Sequence, residues 1–309
     1  MKFKIILTIL LTAILLSGCL GNSGQEKTVD EMTEKTNEGT QKGENDNMQR
    51  AEEYTGNIYV NKVNNATIHS YVSYSGDVSN IIETEDSLIL IDAQPTHSAS
   101  EELLRYMDTL DKPVKQVLIP SHSLGLDYYE GTSVASSEQI SSFNENGGAQ
   151  VFVDIFKGAF GDDIDEKIVP INSTIKDGEN TLEGVKFIMT THEEEFPPTS
   201  DLEFTDYNVL FTHLAAYNSH MLVGSPEKID EQEDYWTEVK AKDYDLIISS
   251  HLMPVDIKAA DFQLQYLETL REAAKNENKE DFIMDMQAAY PDAQNQQFMG
   301  MTADYFYGQ

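Results

Sequence analysis

The chain has 309 residues, of which 40% are hydrophobic and 24% are charged, and its formal net charge is −33 at pH 7. Such an acidic surface repels nucleic acid and anionic lipid headgroups, which excludes nucleic acid as a partner, and we attribute it to a salty or cation-rich medium. Cys19 is the only cysteine, so the chain forms no intramolecular disulfide and has no second thiolate for a metal site.

The first 54 residues have the composition of a targeting segment followed by a tether. Two lysines precede a mostly apolar run over 5–16, which is typical of a secretory signal and is short of the roughly 20 apolar residues that span a membrane. Leu16-Ser17-Gly18-Cys19 resembles a lipobox, in which the cysteine is lipidated; an ordinary signal peptide with an incidental cysteine is the alternative. Residues 20–54 are polar and lack apolar periodicity, which indicates a flexible tether. We predict a signal peptide over 1–18, a lipidated Cys19 and tether over 19–54, anchoring on the extracytoplasmic face of a membrane, and one globular domain over 55–309.

The globular part begins with short runs of alternating apolar and polar residues, which are typical of half-buried strands. In chain order, the first half contains predicted strands over 59–63, 66–72, 79–83 and 87–92, a helix over 98–110 capped by Ser98 or Ser100, a strand over 114–119, a polar loop over 121–131 and a helix near 136–144. The second half contains predicted strands over 167–171, 181–182, 185–190, 201–204, 208–211 and 245–249, with helices near 231–241 and over 259–275. Mixed sheet plus helices in both halves predict an α/β (α+β) protein with a four-layer αββα sandwich.

One stretch carries a family resemblance. Asp92 ends a strand before a helix, and the next strand leads into Ser121-His122-Ser123-Leu124-Gly125-Leu126-Asp127-Tyr128, with Gly131 shortly after. This order resembles metallo-β-lactamase-fold hydrolases, in which the second of these strands delivers an H-x-H-x-D-H loop followed by glycine. The resemblance covers about residues 56–275. It implies the αββα fold and, for an intact motif, one or two zinc or iron ions that activate water.

The loop keeps only part of that motif. With one inserted residue, His122 matches the first histidine and Asp127 the aspartate, while Leu124 or Gly125 stands at the second histidine and Tyr128 at the last. Without the insertion even the first histidine is lost. At best, two of the four ligands in the loop are present.

The later ligand positions are also incomplete. His192, or a glutamate among 193–195, follows a strand after which the family has a ligand, and the position of the bridging aspartate falls on Leu214, beside His213. His251 matches the family's terminal histidine. The resemblance therefore implies a metal set of His122, Asp127, His192 and His251, with Asp127 as the catalytic candidate, holding one zinc, iron or manganese ion or none.

Four further side chains are expected to line the pocket: Asp92, Tyr128, His213 and His220. In the family, the aspartate at the position of Asp92 orients a ligand histidine through a hydrogen bond. Here Asp92 can equally cap the following helix or bind loop amides.

Two functions of different classes are compatible with these residues. The first is a pseudoenzyme, a membrane-anchored extracytoplasmic protein that has lost binuclear hydrolysis and binds a small ligand or protein partner in the remnant cleft. The alternative is a mononuclear metal-dependent hydrolase acting on a small ester, lactam, phosphate or sulfate. A di-iron protein would need more histidines and carboxylates in register. Asn65 and Asn172 begin glycosylation sequons, which point to no activity.

Overall fold

The structure is a computed structural model that describes residues 55–193 and 197–308. The predicted signal peptide, Cys19 and the tether lie outside the described residues. No helix in the described part of the chain is long and apolar enough to cross a membrane.

Two sheets form the centre of the domain. Sheet A has the spatial order β1 to β7: β1 (Asn57–Val63), β2 (Ala66–Val72), β3 (Val78–Glu83), β4 (Leu88–Ile91), β5 (Val114–Leu118), β6 (Ser133–Ser136) and β7 (Ser173–Thr174). Sheet B has the order β12 (Leu246–His251), β11 (Val209–Leu214), β10 (Thr199–Phe204), β9 (Val185–His192) and β8 (Gly178–Leu182). Strand β4 is apolar throughout because it is central in its sheet and buried on both faces.

Helices cover the outer faces of both sheets. The helices are α1 (His97–Asp108), α2 (Glu138–Phe143), α3 (Ala149–Phe160), α4 (Lys228–Lys242), α5 (Lys258–Ala273), α6 (Lys279–Ala289) and α7 (Gln296–Tyr307). Of these, α3 packs on the loop after β5, against Leu124. A 3-10 turn at Leu126–Tyr129 lies in the loop after β5. The N-cap of α1 is Thr96, whose side chain accepts a hydrogen bond from the amide of Ala99, and not Ser98 or Ser100 as predicted.

Three apolar clusters define the layers. The central cluster lies between the sheets and joins residues such as Ile82 and Ile91 of sheet A to Phe187 and Phe211 of sheet B. A second cluster packs α1 on the outer face of sheet A, and a third packs α4 to α7 on the outer face of sheet B. This arrangement confirms the predicted four-layer αββα sandwich.

One predicted strand is wrong, and helices α3, α6 and α7 were not predicted. The predicted strand over 167–171 is wrong: Pro170 has no amide hydrogen, and pairing with β6 begins only at Asn172, whose amide donates to the carbonyl of Val134. Helix α3 was not predicted, because its Val and Phe residues favour strands; burial of one face, including Phe152 and Phe156, forms the helix instead. Helices α6 and α7 complete the outer layer on sheet B beyond the region of the family resemblance.

Candidate functional site

The candidate site lies at the end of the sandwich where the strands β4, β5, β11 and β12 finish. The apolar centre between the sheets ends there, and polar contacts join the sheets instead. The Asn80 side chain donates to the carbonyl of Ser249 at 3.0 Å, and the amide of Ser200 donates to the carbonyl of Pro120 at 2.8 Å. We call this end of the domain the cleft end.

One hydrogen-bonded chain crosses from sheet A to sheet B. The Ser250 hydroxyl donates to Oδ2 of Asp92 at 2.6 Å and lies 3.2 Å from Nδ1 of His213. Burial raises the pKa of Asp92 to about 7, against the opposing effects of the Ser250 hydrogen bond and the charge of His251. Burial also lowers the pKa of His213 well below its usual value. The imidazole of His213 is therefore neutral at physiological pH.

A second pair holds His251, the last residue of β12. Its Nδ1 lies 3.3 Å from Oδ1 of Asp77, a buried residue in the loop between β2 and β3. Burial by itself would lower the pKa of His251, but the hydrogen bond and charge of Asp77 outweigh it and raise that pKa. Burial likewise opposes the ionisation of Asp77, yet the pairing with His251 and a hydrogen bond from Ser75 keep the pKa of Asp77 below its usual value. The rings of His213 and His251 meet edge to face with centroids 5.0 Å apart.

The backbone next to this pair is strained. Leu252 has a φ of +69°, in the left-handed region that bulky residues rarely adopt, and its amide donates to the carbonyl of Gly76 at 3.3 Å. Asp92 has a φ of +60°. Such backbone costs free energy and is found most often at functional sites.

His122 reaches the same cluster from the loop after β5. Its ring lies on that of Phe152, with centroids 4.4 Å apart, and Phe156 meets it edge to face at 6.0 Å. Nδ1 of His122 is buried and has no hydrogen-bond partner in the described part of the chain. Burial, with the charge of His251, lowers the pKa of His122 to about 4, so this imidazole is also neutral.

The packing of the loop disfavours a histidine at the second ligand position of the motif. Leu124 is buried with Phe152, Phe156 and Ile164 in an apolar cluster. Gly125 has a φ of +67°, and a Cβ there would lie 1.8 Å from the carbonyl oxygen of Gln94. An imidazole at either position would therefore disturb the packing of this loop.

Asp127 is placed against a different carboxyl group. Oδ1 of Asp127 and Oδ2 of Asp165 are both buried without a hydrogen-bond donor among the described residues. Burial and the neighbouring Asp127 raise the pKa of Asp165 to about 6. Tyr128, next in the loop, lies with its hydroxyl 2.9 Å from Nδ1 of His97. The aspartate of the motif and Tyr128 thus belong to a second polar group, which includes Asp165 and His97.

The two remaining histidines predicted for the site have other surroundings. Nε2 of His192 lies 3.2 Å from Oδ2 of Asp201, which also accepts a hydrogen bond from the hydroxyl of Tyr235 at 2.9 Å. His220 is completely buried, with Nδ1 3.0 Å from the hydroxyl of Tyr266. Both lie against helices of the outer layer on sheet B, α4 and α5 respectively.

The structure therefore brings together His122, His213, His251 and Asp92 of the predicted residues. Two members of the cluster were missed, Asp77 and Ser250. Ser250 directly precedes the terminal histidine, and Asp77 ends the turn Ser73-Tyr74-Ser75-Gly76 between two predicted strands, so position relative to a strand end was the available signal.

Zinc and iron sites in this fold need at least three converging protein ligands. In residues 55–193 and 197–308, no three His, Cys, Asp or Glu side chains are placed to hold one ion. Asp127 faces Asp165 and His192 faces Asp201, so the ligand set predicted from the sequence does not fit a single ion.

Comparison with known proteins supports the fold. No protein-family model matches the sequence, and no curated protein sequence matches it significantly. The sec-alkylsulfatase Pisa1 from a Pseudomonas species matches 77% of the chain with a TM-score of 0.51 at 15% identity, and the matched part is 48% of that protein, about half its length. The DIM-1 metallo-β-lactamase matches 69% of the chain and 97% of its own length, with a TM-score of 0.49 at 14% identity. The FIM-1 metallo-β-lactamase from Pseudomonas aeruginosa, solved in a mono-zinc form, matches 68% of the chain and 95% of its own length, with a TM-score of 0.44 at 11% identity.

The match to Pisa1, with the layer order and topology, shows that the chain has the metallo-β-lactamase fold predicted from its sequence. At these identities the likeness concerns the fold alone. The chemistry must be argued from the residues of this chain.

Proposed function

We propose that this protein is an exported lipoprotein, anchored through Cys19 on the extracytoplasmic face of a membrane, that binds a small ligand or a protein partner in the cleft end. In this proposal the binuclear hydrolysis typical of the fold has been lost. The leader, the lipobox-like Leu16-Ser17-Gly18-Cys19 and the polar tether support the anchoring.

One observation carries the loss of binuclear chemistry: motif positions in the loop after β5 are committed to contacts within the chain. Leu124 is part of an apolar cluster, and Asp127 faces the carboxyl group of Asp165. The ring of His122 packs against Phe152. A binuclear site would require a ligand in place of Leu124 and an Asp127 turned away from Asp165.

The cluster at the strand ends supports ligand binding. Asp77 and Ser250 engage Nδ1 of His251 and of His213, which leaves Nε2 of each imidazole for another partner. Since the Ser250 hydroxyl donates to Asp92, Nδ1 of His213 carries the hydrogen and Nε2 of this neutral imidazole accepts a hydrogen bond. Fixed imidazoles beside a protonatable Asp92 suit a polar ligand group.

A second candidate, a mononuclear hydrolase, is favoured by the Asp77 and His251 pair. A carboxylate on Nδ1 fixes the tautomer of an imidazole and raises the basicity of Nε2, which benefits both a metal ligand and a general base. Under this candidate the substrate is a small ester, lactam, phosphate or sulfate.

Metal content separates the two candidates. The chain from residue 20 onwards is purified without chelator or histidine tag, and bound zinc, iron and manganese are measured by elemental mass spectrometry beside His251→Ala. The proposal expects less than about a tenth of an equivalent even after zinc soaking, because three converging ligands are needed for tight binding. About one ion per chain, lost in His251→Ala, would contradict the proposal and favour the hydrolase. Screening of the four substrate classes with the same variant would follow.

Anchoring is tested separately. Mass spectrometry of the membrane-extracted protein is expected to show diacylglycerol on Cys19, and Cys19→Ser is expected to release the protein from the membrane. A soluble, cleaved and unmodified native chain would overturn this part of the proposal.

A further inference from the structure

A buried carboxylate holds the residues at which the N-terminal segment joins the domain. Glu102 of α1 accepts hydrogen bonds from the amide and the hydroxyl of Thr55, both at 2.7 Å, and from the amide of Gly56 at 3.1 Å. The Tyr71 hydroxyl donates to the same carboxylate at 2.6 Å. Burial alone would raise the pKa of Glu102, but these hydrogen bonds lower it, so the carboxylate is ionised. The joint between tether and domain is therefore fixed.

This joint lies at the cleft end. Asn57 pairs with Val72, and Val72 pairs with Val78, which follows Asp77. Neighbouring strands are about 4.8 Å apart, so the start of β1 lies about 10 Å from the start of β3. Asp77 in turn bridges to His251. The tether therefore enters the domain beside the candidate site.

Exposed apolar side chains surround the site at the same end. Tyr74 lies in the loop that carries Asp77, Met253 follows His251 by two residues, and Tyr217 follows the end of β11. Their exposed fractions are 49%, 49% and 58% respectively. We call these three residues the rim. Half-exposed tyrosine such as Tyr217 is well suited to a bilayer interface, where its ring is in contact with the acyl region and its hydroxyl with water. Tyr74 offers only the exposed part of its ring, because its hydroxyl donates to Oδ2 of Asp163 at 2.9 Å.

The length of the predicted tether limits how the domain can be oriented relative to the membrane. About 35 residues separate Cys19 from Thr55. If this segment is the flexible tether that its composition predicts, its root-mean-square extension is about 33 Å. A domain of about 250 residues has a radius of gyration near 18 Å and a diameter near 45 Å. Turning the cleft end away from the membrane would stretch the tether beyond its average extension, so that orientation is entropically disfavoured.

We propose that the cleft end faces the membrane that carries the lipid of Cys19, and that the rim contacts an uncharged or zwitterionic lipid surface. This inference rests on the proposed lipid anchor. The high negative charge of the chain restricts the lipid to headgroups without net negative charge.

The orientation is measured on the full, lipidated chain in phosphatidylcholine vesicles. Since lipid occupies the only native cysteine, one introduced cysteine gives a unique position for a fluorophore. Met253→Cys reports the cleft end, and Asp86→Cys and Asn65→Cys, both at exposed turns at the other end of sheet A, serve as matched controls. Energy transfer to an acceptor lipid then gives the distance of each label from the bilayer.

The label at position 253 is expected to lie about 20 Å closer to the bilayer than the controls, the length of a six-residue strand. Equal distances, or a shorter distance at position 86 or 65, would overturn the orientation while leaving the anchor intact. Mass spectrometry and vesicle flotation of the same samples report the anchor itself. A chain without lipid that does not float would remove both proposals together.

Discussion

Two regions meet at the cleft end, and different forces hold them. In the loop from Ser121 to Gly131, side chains at motif positions are packed into apolar surroundings: Leu124 is buried beside Phe152, and His122 lies on the same ring. At the ends of β11 and β12, the side chains form hydrogen bonds, from His213 through Ser250 to Asp92 and from His251 to Asp77.

The difference shows how one fold can change its site without changing its layers. Apolar packing tolerates the loss of a polar group when another side chain fills the volume, as Leu124 does. A buried hydrogen-bonded chain tolerates no such loss, because removing one member leaves its partners unsatisfied. The strand ends therefore carry hydrogen-bonded histidines, while apolar packing dominates the loop.

The largest effect is expected from removing the apolar support of the loop. Phe152→Ala should destabilise the domain by about 3–5 kcal/mol, because the side chain is 4% exposed and its loss leaves a cavity under His122 and Leu124. Urea unfolding followed by circular dichroism measures the change. Phe160→Ala, on the same helix but only half-buried, is the matched control and should lower the free energy of unfolding by clearly less. Equal losses in the two variants would mean that the loop does not depend on this packing.

Removing the partner of His251 should produce the next largest effect. Asp77→Asn is expected to cost about 1–3 kcal/mol and to lower the pKa of His251, because a charged hydrogen bond is lost. A raised folded-state pKa means that the stabilisation is present below the unfolded value of about 6.5 and fades as pH rises through the folded value. The lowered pKa of Asp77 means that the same contribution is also lost in acid, below about pH 4.

Imidazole resonances in NMR spectra, followed from pH 5 to 9, measure the titration of His251 in that variant. Ser75→Ala removes a different hydrogen bond to Asp77 and should leave the pair with His251 in place. An unchanged His251 titration in Asp77→Asn would argue that the pair is not formed in solution.

The sequence could predict the apolar layers of the domain better than the polar contacts of the site. Alternating and continuous apolar runs predicted most strands, and the order of elements predicted the four layers, because both follow from burial along one strand or helix. The ligand set could not be predicted in the same way. Whether Asp127 meets a histidine or Asp165 depends on the path of the chain between β6 and β7, where the predicted strand over 167–171 does not form. The role of Asp77 depends on a bridge to His251, far away in sequence.

A smaller, pH-dependent effect is expected in the loop. The folded-state pKa of Asp165 is about 6, above the unfolded value of about 3.9, so the folded state binds this proton more tightly. Stability from this group is then present in acid and is lost as pH rises from about 4 to about 6. Asp165→Asn should remove this dependence of stability on pH and raise the melting temperature at pH 8 relative to the native chain.

Thermal unfolding at half-unit steps from pH 4 to 8 measures this effect. Asp162→Asn, an exposed position in the same segment, is the control and should keep the slope. If the melting temperature of the native chain fell as the pH was lowered from 6 to 4, and that of Asp165→Asn did not, the sign would be opposite to the one expected. That result would contradict the carboxyl pair.

The smallest effect is expected at His192, and it tests the boundary of the cluster. His192 is paired with Asp201 beside Tyr235, its side chain is 33% exposed, and partly exposed ion pairs contribute about 0–1 kcal/mol. His192→Ala should therefore cost less than about 1 kcal/mol and leave the NMR titrations of His213 and His251 unchanged. Asp201→Asn, which keeps the size of the partner, should behave similarly. A shift of either imidazole titration in His192→Ala would place His192 within the cluster after all, and the ligand set implied by the family resemblance would regain its support.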